Sequence, residues 1–107
     1  MTLNEAVKQN KKNLSININR IAELLIKKID EVLVREIDGL LEGNPQNFTM
    51  NLFSKTHLKN NDNNMYVDNK IRIIEEIIRN YNIQGWEASK LKDTYVINIR
   101  IRKAKNE

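Results

Sequence analysis

The sequence predicts an α+β fold: a long N-terminal helix and a second helix packed on one face of a small three-stranded antiparallel sheet. Three observations predict it. A helical apolar period runs over residues 17–42 and stops at Gly43-Asn44-Pro45. A second helical period covers residues 69–80. After Gly85 the period becomes two, as in a hairpin. At 107 residues with 40% hydrophobic content the chain can fill one core and no more.

Thr2-Leu3-Asn4-Glu5 has capping-box spacing and predicts a short amphipathic helix at the start. Residues 13–19, NLSININ, support two readings. Leu14, Ile16 and Ile18 alternate like a strand, while Leu14, Ile18, Ile21 and Leu25 keep helical spacing. We place a break near Ser15, which makes 1–16 an N-terminal segment and 17–107 a single α+β domain.

The long helix carries two apolar stripes. Ile18, Ile21, Leu25, Ile29 and Val32 form one; Ile26, Ile29, Leu33, Ile37 and Leu40 form another, rotated partway round the cylinder. Packing one face on a sheet needs a single stripe. The second predicts burial elsewhere, with a symmetric copy as the economical occupant. Ile26, Leu33, Ile37 and Leu40 are therefore candidate dimer-interface residues. Glu23/Lys27, Lys27/Glu31 and Glu31/Arg35, four apart, read as support for the helix on its solvent side.

Residues 47–53 alternate, with Phe48, Met50 and Leu52 on one face, and predict the first strand. Residues 54–67 hold no period and are rich in Asn and Lys, which predicts a long exposed loop. Asp68 is placed as the cap of the second helix, whose inner stripe is Ile71, Ile74, Ile77, Ile78 and Tyr81. A hairpin loop at Lys92-Asp93 puts Leu91 opposite Thr94, Ala88 opposite Ile97 and Trp86 opposite Ile99. Glu87 then faces Asn98, diagonal to Arg100, and Trp86 points at the helices as a core residue.

The run RIAELLIKKIDEVLVREIDGLLEGN, then FTMNLF, then NYNIQGWEASKLKDTYVINIRI resembles small phage- and prophage-encoded proteins of unknown function. Gly85-Trp86-Glu87-Ala88 and the alternation of Ile97, Ile99 and Ile101 carry the resemblance, which covers about residues 20–103. It implies an accessory protein of a phage or mobile element and supplies no catalytic residues. The Asn-rich loop is longer than the connection it implies.

Charge and composition narrow the chemistry. The formal charge of +4 sits at the ends of the chain, while residues 21–87 carry eleven acids against eight bases. With no cysteine there is no disulfide, thiol nucleophile or thiolate metal site. No apolar run is long enough to span a bilayer and charges precede the first apolar stretch, so the expected address is the cytoplasm. His57, the sole histidine, stands in the polar loop without a partner that the sequence can place. An EF-hand loop starting at Asp62 would need Gly and Glu where Val67 and Ile73 stand. Glu75 and Glu76 point about 100° apart on a helix, and Gly39, Gly43 and Gly85 are too scattered for a phosphate loop.

We therefore expect a non-enzymatic protein with no metal or cofactor, acting by protein–protein interaction as a homodimer on an unidentified protein partner. Tyr66, Arg102, Lys103 and Lys105 are the candidate partner-binding residues. The alternative is a nucleic-acid-binding protein using Arg100, Arg102, Lys103 and Lys105 with Lys8, Lys11 and Lys12. Arg100 counts less toward it because Glu87 is a diagonal mate. A third reading is an anion pocket at a dimer interface.

Overall fold

The computed structural model describes residues 1–54, 56–58 and 60–102, with backbone alone at 60 and 61. Six elements succeed one another: α1 (Leu3–Glu42), β1 (Phe48–Asn51), α2 (Asn60–Asn63), α3 (Val67–Ile83), β2 (Trp86–Lys90) and β3 (Val96–Ile101). The expected α+β arrangement is present, with α1 and α3 against one face of the sheet.

α1 begins where the capping box predicts, with the Glu5 N–H donating to Thr2 Oγ1 at 3.2 Å. It then runs without interruption through Ser15, in place of the expected break. Helical spacing prevails over alternation because it turns Ile18, Ile21 and Leu25 into the core together. A strand would have had to bury Ile16, which is 58% exposed. The helix stops at Gly43, in the left-handed region at φ 77°. Asn44 N–H then donates back to Gly39 O at 2.9 Å. That reversal brings the chain so close to Gly39 that a Cβ there would lie 2.8 Å from Asn44 O.

The sheet order is β1-β3-β2, all antiparallel, with β3 in the centre. Met50, Ala88, Ile97 and Ile99 point at the helices and are buried; Thr49, Ser89 and Arg100 face outward. The hairpin register differs from the expected one by two residues: Trp86 pairs with Ile101, Ala88 with Ile99 and Glu87 with Arg100. An even shift keeps every side chain on its predicted face. The two-residue loop fails because both of its favoured turns need positive φ at the first central position, Lys92, and of the loop residues Asp93 alone adopts it, at 59°. A longer turn closes instead: Thr94 Oγ1 donates to Leu91 O at 2.8 Å and accepts from Val96 N–H at 3.1 Å.

Between β1 and α3 the described residues are more folded than the expected loop over 54–67. Leu58 enters the core at 3% exposure, Met65 packs beside it, and α2 makes one helical turn. Asn63 Nδ2 donates to Leu58 O at 3.0 Å, and Arg20 from α1 pairs with Asp62 at 2.7 Å. Asp68 is not the cap of α3. The helix starts earlier, with Tyr66 at the cap making no side-chain bond, and Asp68 lies in its first turn, where a carboxylate is favoured by the helix dipole.

Candidate protein-interaction surface

α1 meets α3 through Tyr81, which is fully buried. Its hydroxyl lies 2.7 Å from Asp30 Oδ1 and 3.2 Å from Ile26 O, and its single proton goes to the nearer, charged acceptor. Burial and then the neighbouring carboxylate push this phenol far above the ordinary tyrosine range. The bond holds Asp30 at the lip of a groove that runs along the side of α1.

The groove has three joined depressions. The first, about 490 Å³, lies over Ile26 and Val34 with Glu23, Lys27, Asp30 and Glu31 around it. The second, of similar size, passes between Val34 and Ile37 on α1 and Gln84 and Trp86 across from them. The third, about 350 Å³, ends between Leu41, Trp86 and Ile101. Its floor is apolar and its upper rim is acidic. Val34 is 74% exposed and Leu41 68%, large values for aliphatic side chains on a helix that also fills a core.

The structure sorts the candidate dimer residues into two pairs. Leu33 and Leu40 are buried by the chain itself, at 5% and 4% exposure, with Leu33 reaching only the floor of the second depression. Ile26 and Ile37 are half-buried and line the groove. The outer stripe therefore lies further from the core than the spacing predicts, and Val34 and Leu41 belong in it. Their seven-residue spacing, in step with Ile37, is a signal present in the sequence. Trp86 is half-buried, with one side on the core and the other on the groove, so the expected pure core role is too narrow.

Of the candidate partner-binding residues, the two that are described stand on different elements, Tyr66 before α3 and Arg102 after β3. Tyr66 stands 85% exposed before α3. Arg102 is engaged inside the chain, donating to Trp86 O at 2.9 Å and more distantly to Asn82 O, so it is not the unoccupied cation expected. Lys103 and Lys105 lie outside the described residues. Arg100 forms an ion pair with Glu87, directly opposite it in the register.

His57 is half-buried. Burial, then the charge of Lys28, holds its imidazole below the ordinary value, and Lys28 Nζ donates to its backbone carbonyl. These contacts dock the loop on α1. Among the described residues no three His, Cys, Asp or Glu side chains gather as metal ligands, and no helix is long and apolar enough to cross a membrane. No protein-family model, curated protein or solved structure matches the chain.

Proposed function

We propose that this is a non-enzymatic, cytoplasmic interaction protein, a homodimer on its own, that receives an apolar segment of a partner protein along α1. The layout that resembles phage-encoded proteins makes an accessory role on a phage or mobile element part of the proposal. The observation that carries it is the groove from Ile26 to Leu41, an apolar floor continuing to Trp86 with acidic residues along its rim. An amphipathic helix with basic flanks has the shape and charge for such a groove.

Trp86 is the sole tryptophan and lines the groove, so its emission reports occupancy. Titration with amphipathic helical peptides bearing basic flanks is expected to shift that emission to the blue, and Val34→Glu to abolish the shift. A panel giving no shift would remove the groove as a binding site. Light scattering after size exclusion addresses self-association separately: a mass near twice 12.6 kDa is expected.

The nucleic-acid alternative retains Lys8, Lys11 and Lys12, exposed on the first turns of α1. It loses Arg100 and Arg102 to partners within the chain. A mobility-shift titration across a salt series discriminates, because phosphate contacts weaken steeply with salt; we expect no shift.

A further inference from the structure

α1 has an outward face opposite its buried stripe, and one edge of it is the rim of the groove. Along it, one helical turn apart, stand Glu23, Lys27, Glu31 and Arg35, all exposed. Their spacing alone suits helix support through pairs four residues apart. The structure does not form those pairs: among the described residues none of the four lies within ion-pair distance of an opposite charge. Leu24, 37% exposed, and Val34, 74% exposed, flank the ladder on the same face. A line of unpaired charges between exposed aliphatic residues calls for an occupant with the complementary order.

The chain itself has that order when reversed. We propose that a second copy docks antiparallel on the outward face of α1, with the two-fold axis level with Ile29. This operation sets Glu23 opposite the partner's Arg35, and Lys27 opposite the partner's Glu31. The same axis sets Leu24 opposite the partner's Val34 and brings Ile16 beside the partner's Leu41. Arg20, which already holds Asp62, comes opposite the partner's Asp38. Every charged pairing is between opposite signs, and each occurs twice by symmetry.

A parallel pairing in register sets Glu23 on Glu23 and Lys27 on Lys27, so the charge order itself selects the antiparallel direction. Contact from residue 16 to 42 runs about 40 Å at 1.5 Å per residue. Few apolar groups and many charges lie in it, so association weakens as salt rises. The proposal deepens the homodimer reading above and rests on it; it supplies the face, the direction and the register, and because Val34 and Leu41 also line the groove, the second copy and a partner segment exclude one another on α1.

The test is a charge swap divided between two chains, read by sedimentation equilibrium at low and high salt. Lys27→Glu makes both groups of the central pair acidic, and Glu31→Lys makes both basic. Each variant alone is expected to self-associate about tenfold more weakly, from reversal of two symmetric surface pairs. An equimolar mixture restores opposite signs across the axis and is expected to associate at wild-type strength. Both positions are exposed, and unchanged circular dichroism confirms that the variants fold.

A pair four residues apart within one helix cannot produce this rescue, because neither chain in the mixture carries both changes. A dimeric wild type with no recovery in the mixture would overturn this register and leave the homodimer standing. A wild type that stays monomeric at hundreds of micromolar at low salt would overturn both.

Discussion

The two ends of α1 are made of similar residues and live in different environments. From Ile18 to Leu40 the helix buries Ile18, Ile21, Ala22, Leu25, Ile29, Leu33 and Leu40. Over residues 3–17 it buries none fully; Leu3 is 80% exposed and only Ala6, Leu14 and Asn17 are half-buried. This first part projects past the sheet and accounts for much of the molecule's 59 Å long dimension. The downstream half is held by packing, while the upstream half has Leu14 against the core and otherwise rests on the Thr2 cap, helix propensity and continuity with the packed turns. An isolated helix of that length is marginal in water, so the contrast separates capping from burial within one element.

The sharpest way to break the contrast is a core deletion. Leu25→Ala, at a fully buried position, is expected to cost about 2–5 kcal/mol in denaturant unfolding. Leu3→Ala, the same change in the projecting half, is expected to leave the midpoint unmoved. Equal effects would mean that the projecting turns are packed in solution, as docking by another chain would make them.

A smaller loss is expected at the other end of the helix. Gly39→Ala places a Cβ against a backbone oxygen that cannot swing aside. The clash outweighs the better helix propensity of alanine, for a net cost of about 1–2 kcal/mol. Unchanged stability would show that the turn through Asn44 relaxes freely.

Thr2→Ala removes the cap, a loss of about 1 kcal/mol. Its effect is expected in the projecting half alone: faster amide exchange in the first turns with the same global unfolding midpoint. A lowered global midpoint would join the two halves energetically.

The smallest effect is in pH. The folded His57 imidazole is held below its ordinary value, so the unfolded chain takes up the proton first as pH falls through about 6.5. The stabilising contribution is complete above that point and declines below it. His57→Gln is expected to flatten the stability profile between about pH 5 and 7.

Local chemistry makes several features legible in the sequence. Thr2 and Gly43 act on backbone groups within a few residues, so spacing alone places the ends of α1. The alternation of Ile97, Ile99 and Ile101 names the core face of β3, and that face survives a two-residue error in register because the side-chain period is two. Half of the site is legible in the same way: Ile26 and Ile37 belong to the predicted outer face and line the groove.

The misplacements share a cause. Periodicity sends Leu33 outward and misses Val34, because a helix with two apolar sectors does not reveal which one its own sheet covers. Leu58 has the look of loop sequence because a single inserted side chain has no period. Arg102 has the look of an unoccupied cation because its acceptors, the carbonyls of Trp86 and Asn82, carry no side-chain signature.

By itself the sequence determined the kinds of the larger elements, the two ends of α1 and the inward face of β3, all of which arise from interactions a few residues long. Only the tertiary structure decided that β1 lies beside β3, that Trp86 meets α1 across a groove, and which charges of α1 stay unpaired. Those outcomes depend on contacts between residues far apart in the chain, where the relative rotation of a helix and a sheet, invisible in either alone, selects the side chains that are covered.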